Sequence, residues 1–228
     1  MRALRILLIL AVVLGGILVG IDRLAVSYAE SEASSRVKLS GTRADAIDVD
    51  IKGFPFLTQV AGKRFDEVDV KATGVRATAG YKDIRVGELT MALRDVTVTG
   101  DWAGAKAGSA RGTALISYPD LTAASDRGAT VAYGGDGKVK VTGSVKILGR
   151  SLTRSVLSTV TVVDGDTLKV RADEVPGEGI PGVEDLVRER TDFQRSIGRI
   201  AGMKVEKVEP RPDGLAVTVT GSDVVLAG

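Results

Sequence analysis

Hydrophobic residues follow three different patterns along the chain. An uninterrupted apolar run extends from Ile6 to Ile21. From Asp22 to about Val37 the sequence contains neither Gly nor Pro, and Leu24 and Tyr28 fall at helical spacing. Further along, the period shortens to two, which is typical of strands with one buried face. The pattern predicts an apolar N-terminal segment, a helix that continues from it, and a domain built mainly of strands.

Strands with alternating apolar positions are predicted along most of the chain. They cover Ile47–Ile51, Val68–Val70, Ile84–Thr99, Gly112–Ser117, Ala129–Tyr133, Lys138–Ile147, Leu157–Val163, Leu168–Ala172, Met203–Val208, Leu215–Thr220 and Val224–Leu226. In the third strand the apolar positions change phase near Gly87-Glu88 and at Arg94-Asp95, which predicts bulges that bend it. Three turns predict antiparallel hairpins. They are Gly135-Asp136-Gly137, Asp164-Gly165 and Asp213-Gly214. We therefore expect a mainly β fold with a strongly curved antiparallel sheet.

Two helices are predicted between the strands. A short helix opens near Pro119, and a long one extends from about Val183 to Ala201, with Pro181 before it and Gly202 at its end. Apolar residues form one stripe along the long helix. They are Val183, Leu186, Val187, Phe193, Ile197 and Ile200. We expect this face to pack on the concave side of the sheet.

The apolar N-terminal run is intermediate in length between a signal-peptide core and the roughly 20 residues that span a bilayer. Ser27-Tyr28-Ala29 offers small residues for a leader peptidase but lies far beyond the run. We therefore favour an uncleaved anchor. Arg2 and Arg5 should stay cytoplasmic, so residues after about Arg23 should face outward, in the periplasm or cell envelope. The expected organisation is a signal anchor or signal peptide at 1–23, a helical stalk or packed helix at 24–37, and one β-rich domain at 38–228.

Composition excludes several classes of function. The chain has 31 Lys+Arg and 29 Asp+Glu, and two of the basic residues precede position 22, so the remainder is balanced at 31 − 2 = 29 against 29. Nucleic-acid binders need a basic surface, so nucleic acid is discounted as a partner. Without His or Cys there is no Ser-His-Asp triad, thiol nucleophile or ordinary zinc site. We expect neither a cofactor nor a metal, and we favour a protein that is not an enzyme.

An unusual aromatic segment extends from Gly53 to Val60, and Phe65 follows closely. Because of Pro55, the segment cannot be an ordinary central strand. Two interpretations stay open at this point: the rings pack in a core, or they form the lip of an opening for an apolar ligand. With 44% hydrophobic but only 4% aromatic residues, the interior should be mainly aliphatic.

Four short motifs are distinctive in combination: Gly-Phe-Pro-Phe-Leu-Thr-Gln at 53–59, Arg-Phe-Asp-Glu-Val-Asp-Val at 64–70, Leu-Arg-Asp-Val-Thr-Val at 93–98 and Ser-Tyr-Pro-Asp-Leu at 117–121. Together with the N-terminal apolar segment, they make the chain resemble the LmeA-like phospholipid-binding family of actinobacterial cell-envelope proteins. The resemblance covers essentially the whole chain. It implies a tubular lipid-binding fold, in which a curved sheet wraps a long helix. It also implies lipid binding or transfer, phosphatidylinositol-type lipids and support of envelope glycolipid maturation.

Site residues follow from this resemblance combined with the apolar pattern. Lipid-binding candidates are Phe54, Phe56, Leu57, Val60 and Phe65 around the entrance and Leu186, Phe193, Ile197 and Ile200 in the interior. Candidates for the headgroup are Lys63, Arg64 and Lys71, chosen because they lie near the aromatic segment. The alternative is an envelope scaffold that binds a protein partner and has no lipid cavity. In that case the apolar surface would form an exposed patch.

Overall fold

The computed structural model describes residues 2–39, 44–79, 82–100, 102, 104–123, 125, 129–147, 150–173, 192–196 and 203–227. Within these ranges a long helix, α1 (Arg2–Leu39), precedes a body made mostly of strands. Two short helices interrupt the strands, α2 (Phe56–Gly62) and α3 (Tyr118–Ala123). The predicted helix from Asp22 to about Val37 is confirmed as the second half of α1, and the predicted helix near Pro119 is confirmed as α3.

The strands form two antiparallel sheets, here called sheet A and sheet B. Their bounds are β1 Ala46–Lys52, β2 Arg64–Ala79, β3 Lys82–Thr99, β4 Gly104–Ile116, β5 Thr130–Gly135, β6 Lys138–Ile147, β7 Arg150–Val163, β8 Thr167–Ala172, β9 Phe193–Ser196, β10 Lys204–Arg211 and β11 Gly214–Ala227. Sheet A has the order β1-β2-β3-β4-β11-β10, and sheet B has the order β5-β6-β7-β8-β9. The prediction of a mainly β, antiparallel protein is confirmed.

Turn chemistry joins neighbouring strands as the sequence predicts. Asp136 lies in the β5–β6 turn with φ 47°, and Asp164 lies in the β7–β8 turn with φ 54°. Aspartate tolerates the left-handed region better than most residues, which is why it is favoured in tight hairpins. The third predicted hairpin joins β10 to β11 through Asp213. The two strands predicted after this turn, Leu215–Thr220 and Val224–Leu226, form one continuous strand, β11.

Strand β3 changes the face that its apolar residues occupy at Arg94–Asp95, as predicted. Leu93 and Val96 are both buried, the two residues between them are exposed, and Asp95 has φ 52°. However, the register with β4 continues here without an inserted residue, so the prediction of a bulge is wrong. The paired strands change phase together instead. The corresponding positions are Gly108–Ser109 in β4 and Ser222–Asp223 in β11.

One apolar cluster receives side chains from both sheets and from the helices. Val26 of α1, Phe56 of α2, Val217 of β11, Val139 of β6 and Val170 of β8 are all buried in it. The main-chain N–H of Val205 on β10 also donates to the carbonyl of Gly165, in the turn between β7 and β8, at 2.7 Å. Sheets A and B are therefore joined by a shared aliphatic core as well as by the chain.

The predicted long helix is wrong at the residues where the structure can test it. Residues 193–196 form β9, and Phe193 pairs with Val170 of β8. The main-chain N–H of Ala172 donates to the carboxylate of Asp192 at 2.9 Å, next to this pairing. The edge of β8 needs partners for its backbone groups, a requirement that helical periodicity does not reveal. The other interior candidates, Leu186, Ile197 and Ile200, lie outside the described residues.

Candidate functional site

Helix α1 changes its surroundings at Asp22. From Val12 to Ile21 the large apolar side chains are exposed, for example Leu18 at 63%. From Asp22 onward one face is packed, and Asp22 and Val26 are buried. By length and composition, Ala11–Ser35 would be able to cross a membrane, a property that a signal sequence near the N-terminus shares. The helix thus has an exposed apolar part, described from Ala11 to Ile21, and a following part that belongs to the core.

Two hydrogen bonds fix how α1 lies on the domain. The carboxylate of Asp22 accepts from the main-chain N–H of Leu57 at 2.9 Å, at the start of α2. The carboxylate of Glu30 accepts from the main-chain N–H of Ile51 at 2.9 Å, near the end of β1. Further along, Ala33 packs on the apolar cluster that includes Ile47 of β1. Helix α1 therefore runs opposite to β1, and its apolar half projects beyond α2.

Helix α2 relies on this contact with α1 for its first turn. The residue before the helix, Pro55, provides no side-chain hydrogen bond to the free N–H groups. Asp22 supplies the missing acceptor from another element, in the role that an Asp cap would have within the helix. A negative charge is also favourable at a helix N-terminus. A buried acidic residue thereby joins the apolar helix to the aromatic segment.

Gln59 and Lys63 fasten α2 to three strands. The side-chain amide of Gln59 donates to the carbonyl of Lys52 at 3.2 Å and accepts from the N–H of Asp66 at 2.9 Å. The carbonyl of Lys63, where the helix ends with φ 51°, accepts from the N–H of Val98 at 2.9 Å. Since β1, β2 and β3 all hold it, α2 is a fixed platform at this end of sheet A.

The aromatic segment presents two opposite faces. Phe56 and Phe65 are buried, with ring centroids 6.1 Å apart. Phe54 and Leu57 point outward and are 57% and 42% exposed. Val60 is half-buried against the core. The interpretation as core applies to Phe56 and Phe65, whereas for the exposed Phe54 and Leu57 the lip of an opening stays a prediction.

Two further residues extend this surface and were missed by sequence reasoning. Trp102, in the turn between β3 and β4, is 51% exposed and contacts Phe65 edge-on at 6.4 Å between ring centroids. The guanidinium of Arg23 lies over the ring of Phe54, 5.3 Å from its centroid. Such a stack is a cation–π contact. Neither residue stands in a motif, so only the fold brings them to α2.

Cationic candidates for the headgroup do not lie together. Lys63 donates from its ammonium to the carbonyl of Gly100 at 3.2 Å. Next to it on the chain, Arg64 lies 3.8 Å from the carboxylate of Asp95. Lys71 lies seven residues further along β2 than Arg64, roughly 23 Å away at about 3.3 Å per residue. Lys63 and Arg64 remain beside α2, whereas Lys71 belongs to a different region.

Lys71 lines a groove on the polar face of sheet A. The groove has a volume of about 460 Å³. Its polar lining includes Asp48, Asp50, Asp69, Lys71, Thr90, Arg111 and Thr113. Lys71 pairs with Glu88 at 3.2 Å, and Arg111 pairs with Glu206 at 3.0 Å. An acyl chain placed here would cover these ion pairs and remove them from water, which is unfavourable.

The opposite face of sheet A, together with sheet B, offers apolar walls. Half-buried aliphatic side chains pack around the shared core without being sealed inside it. On sheet A they include Val68, Val70, Met91, Val98 and Ala114, and on sheet B they include Val131, Val141, Val160, Val162 and Leu168. The described residues contain no group of three or more His, Cys, Asp or Glu placed to hold a metal ion. Chemically, this interior is suited to hydrocarbon.

Comparisons with known proteins identify the family. No curated protein and no solved structure matches the chain. A family described as LmeA-like phospholipid-binding matches residues 20–220, which include α2, sheet B, the packed half of α1 and sheet A as far as Thr220 of β11. The chain belongs to the LmeA-like phospholipid-binding family.

Proposed function

We propose that the protein binds a phospholipid without catalysing a reaction, at the outer face of the membrane that holds α1. Family membership carries the lipid-binding part of the proposal. The half-buried aliphatic side chains shared by the two sheets support it, because each CH₂ of an acyl chain gains about 0.8 kcal/mol when it leaves water for such surroundings. The acyl chains would lie against this interior, with the headgroup near the surface.

The entrance in this proposal is the end of sheet A that carries α2. Phe54 and Leu57 are exposed there, and Val60 lies between them and the core. Lys63 and Arg64 stand beside the same helix, where either could meet a phosphate. Because α1 emerges at this point, a lipid would travel a short distance from bilayer to protein. The remaining interior candidates, Leu186, Phe193, Ile197 and Ile200, stay part of the proposal.

The proposal also covers the side of the membrane on which the domain lies and the role of the protein there. Arg2 and Arg5 before the apolar run favour a cytoplasmic N-terminus and therefore an outward-facing domain. We also propose that α1 is retained as an anchor, because Asp22 and Val26 belong to the folded core and removal of the helix would take them away. We further propose that the protein binds phosphatidylinositol-type lipids, transfers lipid and supports glycolipid maturation in the cell envelope.

Filling the interior tests this function. Ala114 of β4 is half-buried against the core, whereas Ala92 of β3 lines the polar groove on the other face. We expect Ala114→Phe to lower the amount of phospholipid that co-purifies with the full-length protein in detergent, because the added ring occupies space that the acyl chain would use. Ala92→Phe is the matched control and should leave it unchanged. Thermal unfolding of both variants shows whether the fold survives.

Equal lipid content in the two variants, with both folded, would contradict an interior site. A wild-type protein that carries no lipid but retains a stoichiometric protein partner would instead favour the scaffold. In that case the exposed side chains beside α2 would be its contact surface.

A further inference from the structure

We propose that the end of sheet A around α2 is a bilayer-docking surface, which inserts into the headgroup region of the membrane that α1 spans. This inference rests on the proposed membrane role of α1 and deepens the proposed function, because it specifies how the lipid site is positioned. The occupant is the bilayer itself, rather than a protein.

Exposed apolar side chains of the described domain are concentrated at this end. Among the residues outside α1 whose side chains the structure describes, seven large hydrophobic ones are exposed. Five of them are Phe54 and Leu57 beside α2, Trp102 in the β3–β4 turn, and Val225 and Leu226 at the end of β11. The other two are Tyr133 and Leu157 of sheet B. Scattered surface hydrophobics are ordinary, but a group at one end of a sheet marks a contact surface.

Strand pairing places these five residues at the same end of sheet A. Residue Lys52 at the end of β1 pairs with Glu67 near the start of β2, and Thr99 at the end of β3 pairs with Gly104 at the start of β4. On β11, Val225 pairs with Lys106, two residues after the start of β4. The end of β1, the turn after β3 and the end of β11 therefore point the same way.

Helix α1 supplies the reason to choose a bilayer. Its exposed apolar half ends at Ile21, and the next residue, Asp22, bonds to the first turn of α2. The point where the apolar helix meets the domain is thus the point where the exposed side chains lie. Trp and other aromatic residues favour the membrane–water boundary, and cations beside them meet lipid phosphates. Arg23, Lys63 and Arg64 are the cations in place here.

Trp102 provides a direct probe, since it is the single tryptophan of the chain. Full-length protein would be placed in nanodiscs of phosphatidylcholine and phosphatidylglycerol, with or without phospholipids brominated near the glycerol end of the acyl chain. We expect brominated lipid to remove most of the Trp102 emission and iodide in the solvent to quench it weakly. The proposal is overturned if brominated lipid leaves the Trp102 emission unchanged, or if iodide quenches that emission as strongly in nanodiscs as in detergent.

Variants separate docking by the surface from tethering by α1 alone. Phe54→Asp/Leu57→Asp should restore much of the emission in brominated nanodiscs, and Phe54→Ser/Leu57→Ser should do the same if the first variant does not fold. Leu157→Asp, an exposed residue of sheet B, is the matched control and should change nothing. Equal quenching in wild type and both docking variants would show that the surface does not position the domain.

The same proteins distinguish this inference from the proposed lipid site. Lipid that co-purifies in detergent reports the interior site, where no bilayer is present. A further variant, Val225→Asp/Leu226→Asp, changes the docking surface outside the proposed entrance. It should lose quenching in nanodiscs while keeping this lipid, which would support both ideas as separate properties. Quenching of wild type without any co-purified lipid would retain the docking surface and reject the interior site.

Discussion

The exposed side chains at the α2 end of sheet A and those in its polar groove differ in the partners that would stabilise them. In the groove, charged residues of neighbouring strands neutralise one another, as Lys71 and Glu88 do at 3.2 Å. At the α2 end, hydrogen bonds are used inside to fasten the helix, while Phe54 and Leu57 are left exposed. Paired charges are satisfied in water, whereas exposed rings gain from an apolar partner. This difference is why we propose that lipid meets the α2 end rather than the groove.

The largest expected effect separates the two faces of the aromatic segment. Phe56 is 4% exposed and Phe54 is 57% exposed. We expect Phe56→Ala to cost about 3–5 kcal/mol of unfolding free energy, because it opens a cavity in the core. Phe54→Ala should stay within about 0.5 kcal/mol of wild type. Denaturant unfolding of the full-length protein in detergent measures both, and similar losses would mean that the segment is not divided into core and surface.

Removing the contact between α1 and α2 should have the next largest effect. Asp22→Ala leaves the N–H of Leu57 without its acceptor, which we expect to cost about 1–3 kcal/mol of unfolding free energy. Asp22→Asn keeps an acceptor oxygen and should recover most of the loss. Asp48→Ala, in the groove, is the matched control and should be nearly neutral. If Asp22→Ala unfolds at the same denaturant concentration as Asp48→Ala, the hydrogen bond from Leu57 to Asp22 does not stabilise the contact between α1 and α2.

Cations at the α2 end and in the groove should also differ in their effect on the binding of anionic lipid. Lys63→Ala/Arg64→Ala removes two cations beside α2, each worth about 1 kcal/mol near an anionic surface. We expect several-fold weaker binding to phosphatidylglycerol-containing nanodiscs, measured by competition with a labelled anionic lipid. Lys71→Ala should bind as wild type does, because that ammonium lies in the groove, roughly 23 Å along β2 from Arg64. Weaker binding by Lys71→Ala alone would move the headgroup site to the groove.

The smallest effect concerns a carboxylate that holds sheet B together. The hydroxyl of Thr159 donates to Asp173 at 2.6 Å, and together with the ammonium of Lys138 at 3.0 Å it outweighs partial burial, so the pKa of Asp173 lies below its usual value. A lowered pKa in the folded state stabilises the protein above the unfolded value of about 3.9. That stability is lost as the pH falls through the folded pKa.

Unfolding at pH 7 and at about pH 3 tests this contribution. Asp173→Asn should be less stable than wild type at neutral pH, and the difference should shrink in acid. The Asp48→Asn variant is the control, because this carboxylate lies on the exposed face of β1. A difference between wild type and Asp173→Asn that is the same at both pH values would contradict the assignment.

Local chemistry made much of the fold predictable. Alternation and Asp-Gly turns indicated the hairpins, because their signals lie within a few neighbouring residues. The strand at 193–196 was missed because its pairing with β8 depends on a distant edge. In the same way, the phase change at Arg94–Asp95 was predicted, but its continuation into β4 and β11 without an inserted residue depends on how three strands pair.

The site was predictable only in part, for the same reason. The sequence singled out the segment from Gly53 to Val60 by its unusual composition, and its place in the lipid site stays a prediction. The sequence did not show that Phe56 would be buried and Phe54 exposed, since both flank one proline. Asp22 was read as the end of the apolar run, and its bond to Leu57 joins residues far apart in the chain. Trp102 has no local signal at all.

Native mass spectrometry of the full-length protein tests whether this chain binds phospholipid. The protein would be purified in a mild detergent from a membrane-containing host and released from the micelle in the gas phase. We expect a discrete added mass that matches a phospholipid, with the lipid identified after extraction. A bare protein mass that persists after incubation with phosphatidylinositol and phosphatidylglycerol would contradict phospholipid binding by this chain.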